Sequence, residues 1–207
     1  MKSPDSFLTQ NETLRIIKNR RSIRLFTKQD VSDGDIQLLL QAANEAPSAH
    51  NLQSWRFIVM RDKKKQELAQ LVASKSGDLP RPSSTLLRMA ARSISGAAAV
   101  IAIANSGELI RHGTELFKVE KEMAHDFFRT MEIQSSSAAV QNLLLAATSL
   151  GLASVWLGIL YLIKDEVLQF LEEPKGEFMA VVPVGYGAAS SQGPKKEPLE
   201  MKVRFLN

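Results

Sequence analysis

Apolar residues recur at helical spacing in some stretches of the chain and run unbroken or alternate in others, and this contrast marks out the elements. Residues 11–19 read as a short helix with Leu14, Ile16 and Ile17 on or near one face. Arg20–Phe26 then alternates and reads as a loop or short extended piece. Ser32-Asp33-Gly34-Asp35 has the composition of a helix start, with a Ser N-cap and acids in the first turn. Ile36, Leu39, Leu40 and Ala43 follow at i, i+3, i+4 and i+7, and Pro47 closes that helix. Trp55–Met60 reads as a strand, Lys63–Ser74 as a helix with Leu68, Leu71 and Val72 inward, Gly77–Ser84 as a loop and Leu86–Ser93 as a helix. Ala97–Ala104 is almost wholly apolar, the mark of a strand covered on both faces.

Residues 105–132 are charged and mixed, with Phe117, Phe127 and Phe128 among Lys and Glu, and read as peripheral helices outside the core. Ser136–Leu150 is a strong helix, apolar on nearly every side beyond Asn142, with Gly151 as its C′ residue. Such a helix belongs at the centre of the fold or in a subunit interface. Strands are expected at Ala153–Leu157 and Phe178–Val184, a short helix at Lys164–Leu171, and a last extended segment where Val203 and Phe205 alternate. The order is mixed α and β, with helices on a modest sheet.

Composition narrows the classes. The chain has 207 residues, 44% hydrophobic and 23% charged, so one domain over 1–207 is expected and disorder is excluded. It has no cysteine, which removes disulfides, thiolate metal sites and Cys nucleophiles. The start lacks an apolar signal core. The longest uncharged stretch, Ile133–Ile163, is too polar in its first third to span a membrane, so the cytoplasm is the expected location.

Charge is concentrated. Arg15, Lys18, Arg20, Arg21, Arg24 and Lys28 face only Glu12 within residues 11–28, giving +5, while the whole chain carries +4. A patch of that kind suits an anion. His50, His112 and His125 have no ligand-like spacing, and no nucleophile elbow or P-loop is present. Gly185-Tyr186-Gly187 lacks the third glycine of a dinucleotide fingerprint. What remains is a set of donors without a base, which points to a cofactor that carries its own reactivity.

Five segments, in order, resemble the nitroreductase family of FMN-dependent oxidoreductases. They are Arg20-Arg21-Ser22-Ile23-Arg24, Ala46–Trp55, the helix from Gln141 to Ala147 with Leu150-Gly151-Leu152, Trp156-Leu157-Gly158, and Pro194–Glu200. Ser54 stands where the family commonly has proline, Lys196 where arginine is frequent, and Gly158 where some members have glutamate. The resemblance implies an α+β fold, with a central mixed or antiparallel sheet flanked by helices. It also implies a homodimer with an extended C-terminal segment and FMN at the subunit interface.

Roles follow by the same resemblance. Arg20, Ser22, Lys195 and Lys196 would hold the phosphate, with Arg21 assisting. Arg24 would lie nearer the ring, where a cation favours the two-electron reduced form. Leu157, Gly158 and Ile159 would border N5, the latter two offering backbone amides. Pro47, Ser48, Ala49, Asn51 and Gln53 would approach the ring edge, from the other chain. Arg88 and Arg92 align poorly and receive no role, and no catalytic side chain or metal ligand is expected.

The implied activity is ping-pong reduction of an electron-poor nitroaromatic or quinone by NADH or NADPH, with 105–132 as a candidate lid. The alternatives are dehalogenation, alkene reduction or flavin breakdown on the same fold, and a non-enzymatic FMN store. Nucleic-acid binding is disfavoured, since no aromatic-basic platform accompanies the basic segment.

Overall fold

The computed structural model describes residues 10–189, 193–194 and 196–206. Its elements in chain order are α1 (Glu12–Asn19), α2 (Asp33–Asn44), β1 (Trp55–Met60), α3 (Asp62–Lys75), α4 (Ser83–Gly96), β2 (Ala99–Asn105), α5 (Glu108–Leu116), α6 (Lys121–Ser149), β3 (Ala153–Ser154), α7 (Lys164–Phe170) and β4 (Glu177–Gly185). The four strands form one antiparallel sheet in the order β1-β2-β4-β3. The expected α+β class holds. The mixed character is confined to one isolated parallel bridge, Ser22 with Ser154.

The sheet is covered on both faces. All seven residues of β2 are buried, and their side chains divide by alternation. Val100, Ala102 and Ala104 join Leu68, Leu87, Ile94 and Val167 on the face covered by α3, α4 and α7. Ala99, Ile101 and Ile103 join Leu39, Ala43, Ala139 and Leu143 on the face covered by α2 and α6. The register of β4 shifts between Ile103 and Ala104, so Phe178 faces the first core while Met179 and Ala180 both face the second.

Local chemistry sets the helix starts. The Asn11 side chain accepts from the Leu14 amide at 2.9 Å to begin α1. In α2 the Ser32 hydroxyl accepts from the Asp35 amide at 3.0 Å and donates to the Asp35 carboxylate at 2.7 Å. Arg61 fixes this end of α2 from β1's exit, donating to Asp30, Asp33 and the Val31 carbonyl.

Three expectations need correction. Helix α6 runs unbroken for 29 residues and includes Lys121–Ile133, which composition assigned to separate peripheral helices. Its buried stripe, Ala124, Phe128, Glu132, Ser136 and Val140, steps every four residues, and two polar members hide the periodicity. Residues 105–132 are not wholly outside the core either, since Leu109, Ala124 and Phe128 form a small buried cluster. Strand β3 stops at Ser154 because the chain then bends inward, where the Leu157 amide donates to the Val181 carbonyl at 2.9 Å. Ahead of the alternating Val203 and Phe205, Leu199–Met201 forms a 3₁₀ turn, and Phe205 is 85% exposed.

The small cluster depends on Gly113. A Cβ there would lie 2.4 Å from the Phe128 ring, against a ring that is itself fully buried. Gly113→Ala should cost about 1–3 kcal/mol by overpacking. Urea unfolding measures this, and an unchanged midpoint would contradict the packing.

Candidate functional site

The basic segment folds along the β3 edge of the sheet. Arg20 caps α1, its amide donating to the Ile16 carbonyl. Its guanidinium makes no hydrogen bond or ion pair to another described residue. Ser22 is exposed beside Ser154, with the Ile23 amide donating to the Ser154 carbonyl at 3.1 Å. Phe26 pairs with Gly187, and the Thr27 and Ala188 amides close that crossing on Tyr186 and Leu25. Arg24 is exposed, and Ser93 of α4 holds its carbonyl at 3.1 Å.

Arg21 behaves differently from its neighbours. Its guanidinium turns back to the Lys18 and Arg20 carbonyls at 2.6 and 2.9 Å. Gly193 packs on it, since a Cβ there would meet the Arg21 side chain at 2.9 Å. Arg21 thus seats the late loop against α1's end, beside a cleft of about 290 Å³ lined also by Ile23, Thr148, Leu152 and Gly187. Lys196 is exposed in that loop, and Lys195 lies outside the described residues.

Leu157, Gly158 and Ile159 sit just beyond β3. Leu157 is buried and Gly158 is exposed, opening the 3₁₀ turn Gly158–Ile163. The first amides of such a turn have no partner inside it. The structure therefore brings together 19–23, 151–154 and 187–189, with Gly193 on Arg21 and Gly158 four residues past Ser154.

The loop 47–53 stands elsewhere. It leads into β1 at Trp55, whose indole donates to Asn44 at 3.1 Å. Ser48 organises it, accepting from the Gln53 amide at 3.1 Å, and the Ala49 amide donates to Ser135 of α6 at 3.1 Å. The Gln53 side chain donates to Asn51 Oδ1 at 2.9 Å. His50, Asn51 and Gln53 all have positive φ, at 53°, 54° and 48°. Three such residues in four positions are costly unless surroundings fix them, and strain of this kind clusters at binding loops.

Trp55 lies opposite Asn105 on one outer strand, while Ser154 lies opposite Val184, which faces Ala99 at the far end of β2. The two groups of candidates therefore leave the sheet at diagonal corners. Strand spacing near 4.8 Å and a rise near 3.4 Å per residue put those corners about 25 Å apart.

Behind the 47–53 loop lies a buried polar cluster that composition did not reveal. Glu132, Asn105 and Ser136 are fully buried. Ser136 donates to Asn105, Arg129 bonds Glu177, and Glu132 accepts from the Leu109 amide at 2.8 Å. Asn105 Nδ2, Glu132 Oε2 and Glu177 Oε2 have no partner. The visible signal was polar residues at i and i+4 on a stripe otherwise apolar. Burial pushes the Glu132 carboxyl above the usual range, against the Leu109 amide, the Ser54 hydroxyl and the Ile110 amide, with Glu177 adding repulsion. Arg88, left without a role, is occupied on its own helix by Ser84 and Thr85.

A two-faced antiparallel sheet with anion donors along one edge and a strained polar loop at the opposite corner is the frame of a known family. The nitroreductase family model matches residues 17–186, and the chain belongs to that family. A relative from Archaeoglobus fulgidus, provisionally named NADH dehydrogenase/NAD(P)H nitroreductase, is 32% identical over 180 residues, 84% of this chain and 85% of its own length. A provisionally named nitroreductase from Desulfovibrio desulfuricans, solved in complex with FMN, is 28% identical with a TM-score of 0.71, covering 96% of this chain and 99% of its own. A BluB-like flavoprotein from Clostridium difficile is 26% identical with a TM-score of 0.73, covering 95% and 100%.

The raised Glu132 carboxyl fixes the sign of a pH effect. The folded state keeps this proton to higher pH than the unfolded chain does. Its contribution to stability is full below the ordinary carboxylate range and is lost as pH rises through the folded value. Glu132→Gln should remove that component, so its stability relative to wild type should rise with pH across the window. Urea midpoints at a series of pH values measure this, and parallel profiles would contradict it.

Proposed function

We propose that this chain is an FMN-dependent oxidoreductase that draws on NADH or NADPH and reduces an electron-poor acceptor, a nitroaromatic or a quinone. The observation that carries the reading is the gathering of 19–23, 151–154 and 187–189 at one sheet edge, with the 3₁₀ turn at Gly158 following shortly after. It supplies an unengaged guanidinium, an exposed hydroxyl and open amides, and no nucleophile–base pair is needed there. Donors of this kind suit a phosphorylated cofactor with its own reactivity.

The donor set fits FMN. Arg20 and Ser22 would take the phosphate, with Lys196 and Lys195 closing from the late loop. Arg21 shapes that corner by seating the loop, and Arg24 lies toward the ring. Gly158 and Ile159 would present amides at N5, where the absent Cβ of Gly158 permits close approach. FMN, when bound, supplies the two-electron redox chemistry. Donor and acceptor would share one face in turn, which is ping-pong order.

The ring-edge residues Pro47, Ser48, Ala49, Asn51 and Gln53 would come from a second copy. A corner separation near 25 Å exceeds what one flavin mononucleotide spans. A two-fold dimer brings unlike corners together twice. Two surfaces support this: an apolar groove of about 330 Å³ between α1, α2 and α6, and the exposed Leu199, Met201 and Phe205 of the C-terminal segment. Among the described residues, no helix is long and apolar enough to cross a membrane.

A second reading is other flavin chemistry on this fold, favoured by the likeness to the BluB-like flavoprotein. Anaerobic addition of NADH or NADPH to the FMN-loaded protein tests the main reading. The flavin absorbance should bleach with one or both, and return on adding a quinone. Bleaching by dithionite but by neither nicotinamide would overturn the reading in favour of an FMN store.

Arg20→Ala should weaken FMN binding about 10- to 150-fold, from about 1.5–3 kcal/mol for a charge-assisted contact. Fluorescence titration of the apoprotein measures it, and unchanged affinity would remove Arg20 from the site.

A further inference from the structure

Helix α5 is joined to the rest of the fold by few devices. Its N-cap residue is Gly107, at φ 73°, with no side chain to satisfy the first amides. The Ser106 hydroxyl accepts from the Glu108 amide at 3.4 Å, and Glu132, from the middle of α6, accepts from the Leu109 amide at 2.8 Å. Beyond that, α5 rests on the small cluster of Leu109, Ala124 and Phe128, with Gly113 and the Phe117 ring packed on Phe128, and on an exposed Arg56–Glu108 ion pair at 3.5 Å. That cluster is separate from both main cores. Elements with few buried contacts are the ones that open locally. The far end of α5 and the start of α6 carry exposed Leu116, Phe117, Val119, Met123 and Phe127.

The latch point is electrostatically uneasy. Glu132 is fully buried, its Oε2 has no partner, and it has no ion pair among the described residues. The charged groups around it offer no relief. Arg129 of α6 is engaged with Glu177 of β4, and Arg56 of β1 with Glu108 of α5. Arg111 of α5 donates to the Ser106 carbonyl, and His50 of the loop is exposed. A neutral carboxyl tolerates this place, and an ionised one lacks hydration it would regain if α5 moved away.

We infer that Glu132 is the latch of a lid, and that loss of its proton frees α5 from the core. The argument is linkage. The open form solvates the carboxylate and so binds the ionised state better, and ionisation must then favour the open form. Ser54, buried at the foot of the 47–53 loop, meets the same region from the other side, its carbonyl accepting from the Ser106 amide at 2.8 Å just before α5. The start of α5 is thus tied both to α6 and to the loop assigned above to the ring edge. That the lid governs access of an acceptor rests on the proposed function, while the latch itself does not.

Hydrogen exchange of the FMN-loaded protein, read by mass spectrometry over a pH series, tests the latch. Rates are corrected for the intrinsic pH dependence of exchange. Protection of peptides covering 105–117 should fall as pH rises above the ordinary carboxylate range, by up to about tenfold per pH unit. Peptides covering 99–104 serve as the control and should not follow. Glu132→Gln should flatten the α5 profile. Protection that is flat with pH in wild type, that falls equally in the control, or that keeps its slope in Glu132→Gln would overturn the latch. Where the variant does not fold, the wild-type series alone decides. Flavin fluorescence of the same samples reports FMN retention separately, so failure of the latch and failure of the flavin reading are distinguishable.

Discussion

Everything in this molecule follows from one strand that has no face toward water. Strand β2 has every residue buried, so its alternate side chains need an apolar partner on each side. Helices α3, α4 and α7 supply one layer and α2 and α6 the other. With both faces occupied, the sheet has only its edges and ends left to offer solvent or a ligand. The candidate residues stand there and nowhere else. One set runs along the β3 edge through Ser22 and Ser154, and the other sits at the outer end of β1.

The same constraint explains why part of the molecule was legible in sequence. A doubly covered strand must be continuously apolar, and Ala97–Ala104 is, so its place and environment could be read directly. Capping chemistry was also local: Ser32 and Asp35 meet as their spacing predicts. The candidate site was legible as motifs because its segments are short and contiguous. Their separation was not, because it depends on strand order and register, which hydrophobic periodicity does not encode.

The misreadings share a cause. Each came from reading conformation or exposure off polarity alone. Glu132 and Ser136 lie on the buried stripe of α6, and their polarity split one helix into two in the sequence reading. Ala153–Leu157 is apolar but for Ser154, yet only two residues pair as strand, because burial there is met by the turn that carries Leu157 under Val181. Periodicity reports which face is inside. It does not report whether the inside is reached by a strand or by an irregular turn.

The substitution at residue 54 gains a meaning from this arrangement. Proline has no amide hydrogen and no polar side chain, so it can stiffen a loop but cannot address a carboxyl. Serine carries a hydroxyl, and here the residue is buried beside Glu132, its carbonyl accepting from the Ser106 amide at 2.8 Å just ahead of α5. Rigidity of the loop is then borne by different means. Ser48 holds the Gln53 amide, Ser135 holds the Ala49 amide, and the left-handed residues between them are over-determined from both sides. In this chain the residue at that position ties the loop to the segment that opens α5.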